Sequence, residues 1–246
     1  EDSSRTPRWL VLYYLPYHVI MAQVSEMEYR IQVKICGITS EEDASACAGL
    51  GADAMGFVFY PPSSRNIDRE KARSIINAIP DNILTVGVFV DESPETIREI
   101  VGHCGLKAVQ LHGAESPAAV RSLKGLNVKI IKAIFVNGSP SPAEMPNYEA
   151  DAFLMEAPRG PIPGGTGTAW DWGRVKGLSG SYPVILAGGL NPENVTEALE
   201  ASHPDAVDVS SGVEISPGRK DIEKVGKFIE SVRNCSFLTT RRILYG

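Results

Sequence analysis

From residue 32 to residue 209 the chain repeats one pattern: a short apolar run, then a stretch with apolar residues at three- and four-residue steps. The apolar runs fall at about 32–36, 54–59, 84–90, 107–111, 128–135, 151–156, 183–187 and 205–209. Runs this short read as strands, and the spaced stretches between them as amphipathic helices. Ile97, Ile100, Val101 and Cys104 make one such helical face; Val195, Ala198 and Leu199 make another. Ser93-Pro94 is expected to open the helix after the third strand, and Asn191-Pro192 the helix after the seventh, since a capping oxygen followed by proline suits a helix start.

Repeated strand–helix units imply parallel strands joined by right-handed crossovers. Eight units suit closure into a barrel. The alternative, an open doubly wound sheet, lacks its GxGxxG fingerprint after the first strand. The expected fold is therefore an α/β chain with an eight-stranded parallel (β/α)8 TIM barrel, one domain without an internal linker. Two tails are expected outside its core. In residues 1–26, Arg5 and Arg8 precede the apolar Trp9–Leu15 in the manner of a secretory signal. Tyrosines, Pro16, His18 and the lack of a small-residue cleavage site weaken that reading. Residues 27–235 are assigned to the barrel and residues 236–246 to a C-terminal tail.

Functional side chains of such barrels gather at the C-terminal ends of the strands, and period two decides which residues share a face. Lys34 shares a face with Cys36, Gln110 with His112, Leu154 with Glu156, and Asp208 with Ser210. Several strands thus end in polar residues directed at one mouth, and buried polar groups without partners are costly. The run Val33–Thr39 carries the sharpest signal: Cys36 closes an apolar strand and Gly37 turns the chain out. With Glu156 at the end of strand six, the thiol offers an acid and a base on different strands, as proton transfer requires. A positive charge would lower the pKa of the thiol; Lys34 is one candidate source and Lys132 another, with a purely structural role as the alternative for Lys132. Gln110, His112 and Asp208 are candidate substrate-binding residues.

The seventh and eighth strands end in Ala187–Asn191 and Asp208–Gly212. Glycines let a backbone approach an anion, and barrels of this class often hold phosphate after strands seven and eight. Gly188, Gly189, Ser210, Ser211 and Gly212 are the candidate phosphate-binding residues; two tight turns without a ligand would look similar. Pro163–Gly167 lacks the GK[ST] of a nucleotide loop and reads as a mobile cover. Arg65, after strand two, presents a fork suited to a carboxylate. Asp91 has no role that spacing supports.

Composition narrows the setting. The chain has 246 residues, 43% hydrophobic and 22% charged, with formal net charge -6. That charge argues against a general nucleic-acid or anionic-membrane binder. No apolar run reaches the ~20 residues of a membrane span. Cys36, Cys47, Cys104 and Cys235 are scattered with no CxxC pair, the pattern of reduced thiols in a cytoplasmic protein.

Taken together, Val33–Thr39, Gly51-Ala52-Asp53 with Gly56–Phe59, Val109–Gly113, Gly164–Gly167 with Asp171-Trp172, Ala187–Leu190 and Val207–Glu214 resemble the phosphoribosylanthranilate isomerase family, in order over about residues 31–233. The resemblance implies a step of tryptophan biosynthesis, an Amadori rearrangement of N-(5-phosphoribosyl)anthranilate to 1-(2-carboxyphenylamino)-1-deoxyribulose 5-phosphate. It implies no metal or organic cofactor and a phosphorylated small-molecule substrate. Neither nucleic acid nor membrane is expected as a partner, and the chain would be a monomer or homodimer. By position, Cys36 would be the general base, Arg65 would hold the anthranilate carboxylate and Asp208 would contact the sugar. One departure stands out: the family motif ends strand six in aspartate, and this chain has Glu156. Glutamate is expected to take the general-acid role. The alternatives are a catalytically silent or altered phosphosugar-binding barrel, or another sugar-phosphate isomerase or epimerase.

Overall fold

The computed structural model describes residues 28–156 and 170–245. Eight parallel strands close into a barrel in chain order: β1 (Gln32–Cys36), β2 (Ala54–Phe59), β3 (Leu84–Phe89), β4 (Ala108–Leu111), β5 (Lys129–Phe135), β6 (Ala152–Glu156), β7 (Val184–Leu186) and β8 (Ala206–Val209). Closure is made by β1 against β8, with Lys34 opposite Asp208. The expected N-terminal extension, residues 1–26, and the expected cover, Pro163–Gly167, lie outside the described residues.

Four of the crossovers are helices that a capping side chain starts. These are α1 (Glu41–Gly49), α2 (Arg69–Ala78), α3 (Pro94–Cys104) and α4 (Pro117–Ser122) in the first half of the chain. Their caps are Ser40, Asp68, Ser93 and Ser116, each accepting a backbone N–H three residues on, which satisfies a donor that the first turn would otherwise orphan. Asp221 caps the last helix in the same way. The fifth crossover departs from the pattern. Pro142–Asn147 is a 3-10 helix, and Pro146 inside it removes a donor and blocks a longer α-helix. After β6, the described part is a 3-10 turn (Trp172–Val175) and the short α5 (Lys176–Ser179). The helix after β7, α6 (Val195–Ser202), begins beyond the expected Asn191-Pro192. Asn191 instead folds back, its Oδ1 accepting from the backbone N–H of Glu193 and Asn194, so the chain makes a turn before it winds. The last helix is α7 (Ile222–Arg233).

Alternation along the strands sorts the core in two. One cluster lines the barrel interior and includes Ala54, Val86, Ala108, Ile131, Ala133, Leu154, Ile185 and Ala206. The other fills the layer between sheet and helices and includes Val33, Ile35, Met55, Phe57, Val109, Met155, Val207 and Phe228. By the same parity Gln32, Lys34 and Cys36 belong to the interior side. The expected pattern of buried and outward residues therefore holds along each strand.

At the N-terminal end of the barrel one device recurs. Asp53, Asp151 and Asp205 each immediately precede a strand, and each accepts the backbone N–H of a residue at the start of the preceding or a neighbouring strand: Val33, Ile130 and Val184 at 2.8, 2.7 and 2.8 Å. Asp53 is also gripped by Arg233 at 2.7 Å, which ties α7 to the base. The C-terminal tail lies outside the eight strands but packs under them. Leu238–Thr239 pairs antiparallel with Tyr29–Arg30. Leu244, only 1% exposed, joins the interior cluster from below. Gln32 holds it there, its Oε1 accepting from the backbone N–H of Ile243 and Leu244 at 2.7 Å each and its amide donating to Leu244 O. Arg241 donates to the carbonyls of Gly180 and Tyr182 at 2.9 and 3.1 Å and reaches Asp205 at 3.5 Å.

Candidate active site

The opposite, C-terminal end of the barrel collects the polar strand ends. Cys36 ends β1 and is 8% exposed. Gly37 follows with φ 80, and both Gly37 and Ile38 donate to Gly56 O at 2.9 Å. This turn needs glycine twice over. The left-handed backbone favours it, and a Cβ at Gly37 would sit 2.6 Å from Arg65 Cδ, where Arg65 crosses the turn. On the β2 side, a Cβ at Gly56 would come 2.7 Å from the Cys36 sulfur. The thiol is therefore boxed against a strand that must stay bare.

Lys34 lies beneath the thiol with no exposure, its Nζ 2.7 Å from Asp208 Oδ1 across the β1–β8 seam. Burial alone would lower the ammonium's pKa, but the Asp208 carboxylate and the Cys36 sulfur outweigh it and raise it. For Cys36 the balance goes the other way. Burial, the largest influence, pushes the thiol up; Lys34 and Lys220 pull it down, and Asp208 adds to the rise. The expected lowering by Lys34 is thus real but outweighed. For the second candidate, Lys132, the structure matches the structural alternative. Lys132 lies between sheet and helices, where its Nζ donates to Leu111 O, Gly113 O and Glu115 at 3.2, 2.9 and 2.9 Å. Its work is to hold the turn after β4.

That turn presents His112. Gln110 Nε2 lies 3.0 Å from His112 Nδ1, and His112 Nε2 lies 2.8 Å from Glu156 Oε2. With the Gln110 amide donating to Nδ1, a neutral ring carries its proton on Nε2, the side toward the carboxylate. Gln110 Oε1 is buried without a partner among the described residues. Glu156 stands at the end of β6, three strands from β1 by the shorter way round the barrel, so carboxyl and thiol belong to non-adjacent parts of one rim. Asp91, left without a role by its spacing, accepts from the backbone N–H of Ala114 at 2.5 Å and helps fix the same β4 turn.

The β7 and β8 loops sit against each other. Gly188 and Gly189 have φ 84 and 71, and Asn194 Nδ2 donates to Gly189 O at 2.8 Å. A Cβ at Gly212 would fall 1.9 Å from Leu190 O, which only glycine permits. Ser210, Ser211 and Gly212 are part-exposed beside them.

Arg65 does not stand alone, and here the structure adds two residues that sequence reasoning passed over. Glu214 accepts from Arg65 Nε at 2.9 Å and Nη2 at 2.7 Å. Lys220, 2% exposed, donates to Glu214 at 2.7 Å, to Cys36 O at 2.6 Å and to Ser210 O at 3.4 Å. Hydrogen bonding to Glu214 raises the Arg65 pKa against the opposing effect of burial. Burial would raise that of Glu214, but Arg65 and Lys220 together hold it below the usual carboxylate range. The two residues belong to a hairpin of very short strands, Glu214–Ser216 and Arg219–Lys220, in which period two has no length to register.

A closed βα barrel with ionisable strand ends and glycine loops at one rim defines a (β/α)8-barrel enzyme. Sequence comparison narrows the class. A family profile described as N-(5'phosphoribosyl)anthranilate (PRA) isomerase matches residues 33–231. The N-(5'-phosphoribosyl)anthranilate isomerase of Desulfatibacillum aliphaticivorans is 46% identical over 201 residues, covering 82% of this chain and 92% of that protein. Among solved structures, phosphoribosyl anthranilate isomerase from Thermotoga maritima aligns with TM-score 0.76 and 41% identity, over 82% of this chain and 98% of that one. A second, of phosphoribosyl anthranilate isomerase in complex with reduced 1-(o-carboxyphenylamino)-1-deoxyribulose 5-phosphate, aligns with TM-score 0.73 and 40% identity, with the same coverage. The chain belongs to the phosphoribosylanthranilate isomerase family, and is an isomerase of tryptophan biosynthesis.

Proposed function

We propose that the rim carries out the Amadori rearrangement of N-(5-phosphoribosyl)anthranilate, with Glu156 as general acid and Cys36 as general base. Glu156 donates its proton to the ribose ring oxygen. The C1′–O bond breaks and the anthranilate nitrogen supplies electrons to form a Schiff base. The Cys36 thiolate then takes the C2′ proton, and that electron pair neutralises the iminium to give an enolamine. Return of a proton to C1′ from Cys36, and loss of the C2′ hydroxyl proton to the Glu156 carboxylate, produce the ketone and restore both groups. C2′ is oxidised as C1′ is reduced, so no external redox partner enters.

The observation that carries this reading is the placement of Cys36 and Glu156, on inward parity, at the ends of β1 and β6 of one barrel. Beside them, His112, contacted by Gln110 at 3.0 Å, brings its Nε2 to 2.8 Å from the Glu156 carboxyl. The unpartnered Gln110 oxygen suits a sugar hydroxyl, and Asp208 suits the sugar beside Lys34. Arg65 supports capture of the aryl carboxylate, and the Gly188–Gly189 and Ser210–Gly212 loops capture of the phosphate. Complementation of a tryptophan auxotroph lacking this step tests the roles. Wild type should support growth, and Cys36→Ser and Glu156→Gln should not. Purified variants should lose about two to four orders of magnitude in kcat. Equal turnover in all three would overturn the roles, and no turnover in wild type would favour a silent phosphosugar-binding barrel.

A further inference from the structure

Buried Glu214 and Lys220 form, with the part-exposed Arg65, a three-membered charge group that spans the β2 loop, the hairpin after β8 and the end of β1. A carboxylate that meets an arginine on two of its donors would ordinarily spend that arginine's charge. Here the same carboxylate oxygen that accepts from Arg65 Nε at 2.9 Å also accepts from Lys220 Nζ at 2.7 Å. One negative charge is thus shared between two cations in direct contact. Lys220 also contacts Asp43, but through its backbone N–H at 3.0 Å, not its ammonium. The three ammonium contacts, to Glu214, Cys36 O and Ser210 O, match the three donors that a lysine carries. Glu214 takes the Nε–Nη2 edge with both of its oxygens, which fixes the plane of the guanidinium. Nη1, on its remaining side, is given to no acceptor among the described residues.

We infer that Lys220 and Glu214 are positioning residues that make the rim selective for a carboxylate-bearing aryl amine. Glu214 holds the Arg65 fork in one orientation. Lys220 prevents Glu214 from cancelling the Arg65 charge and leaves the group with one positive charge for a carboxylate to meet. The same ammonium pins the carbonyl of Cys36, so the clamp and the base share one anchor. This inference rests on the reading that Arg65 receives the substrate carboxylate.

Binding of two probes by calorimetry tests it: reduced 1-(2-carboxyphenylamino)-1-deoxyribulose 5-phosphate, and its counterpart with phenyl in place of carboxyphenyl. Wild type should prefer the carboxylated probe by roughly a hundredfold, as a charge-assisted bidentate contact is worth. Arg65→Ala should erase that preference; if it does not, the underlying reading of Arg65 fails. With that control satisfied, Lys220→Met and Glu214→Gln should each cut the preference about tenfold while the phenyl probe binds as before. In turnover, the loss should appear in KM more than in kcat, and Lys220→Arg should restore most of it. A full preference in Lys220→Met or Glu214→Gln overturns the inference, and so does equal weakening of both probes, which would mark the group as structural alone. If Lys220→Met does not fold, Glu214→Gln and Lys220→Arg decide by the same ratio.

Discussion

At Cys36 burial opposes ionisation while Lys34 and Lys220 favour it, and burial wins. In its proposed role as base, Cys36 must be a thiolate and so becomes active only as pH climbs past the ordinary thiol range. The expected pH profile of kcat/KM rises through pH 7 and is still rising above about 8.5. Lys34→Met, which removes a neighbouring positive charge, should move the rise further alkaline. A profile flat from pH 6 to 10 would contradict thiolate chemistry. Cys47 carries a separate alkaline effect. Burial on the inward face of α1 pushes its thiol up to about 12 from an ordinary 9.0. The native state keeps this proton while the unfolded chain loses it, so the stability it contributes is full below pH 9 and drains away between 9 and about 12. Cys47→Ala should show a shallower fall in Tm across that interval. At this scale the sequence was informative where a residue ended a strand. Cys36, Gln110, His112, Glu156 and Asp208 were legible because alternation assigns them a face. Glu214 and Lys220 were not, since their strands are two and three residues long and a charge there reads as solvent-facing. The one available cue was the Val207–Glu214 motif, which ends on Glu214 itself. Where Lys34 would lie was legible too, but the sign of its contest with burial was not, because that depends on how fully the thiol is enclosed.

Among the elements, the regular strand–helix units could be read from spacing, and the irregular crossovers could not. Periodicity needs several turns to show itself, and the connection from β5 to β6 holds Pro140, Pro142 and Pro146 within a short span. Likewise Asn191-Pro192 has the composition of a helix start, yet the Asn191 side chain closes a turn of its own and postpones α6 to Val195. The loops after β7 and β8 depend on a feature of elements in contact, not of either alone. Gly212→Ala would place a methyl 1.9 Å from Leu190 O, and a backbone carbonyl cannot step aside as a side chain tip can. The loops must part. The expected cost is about 1–3 kcal/mol of stability, together with weakened affinity for inorganic phosphate measured by competition. Phosphate affinity unchanged in a folded Gly212→Ala protein would remove the β8 loop from the proposed anion site.

For the whole molecule, the two ends of the barrel have separate duties. The rim at the C-terminal ends holds the ionisable groups, and the N-terminal end is a stabilising base built from aspartates, Arg233 and the tail. Removing residues 236–246 would expose the interior cluster beneath Leu244, break the pairing with Tyr29–Arg30 and strip Asp205 of Thr239 and Arg241. Burial of one leucine is worth about 1.5–3 kcal/mol. With the polar contacts added, truncation should lower Tm by about 5–10 °C. Calorimetry checks this, and kcat/KM should stay within about twofold because, among the described residues, the tail contacts the base of the barrel and not the rim. An unchanged Tm would mean that the tail adds nothing to the fold.

The leucine seated under the barrel has a consequence for traffic. With Leu244 seated below and the interior filled by side chains, the described residues give access to the ionisable groups from the rim beside Cys36 and not from beneath. Whatever has just been made must leave by the path along which the next molecule arrives. Product build-up should therefore slow turnover by competing directly with substrate, more sharply for a ketose that keeps its phosphate and its carboxylate than for one that has lost either.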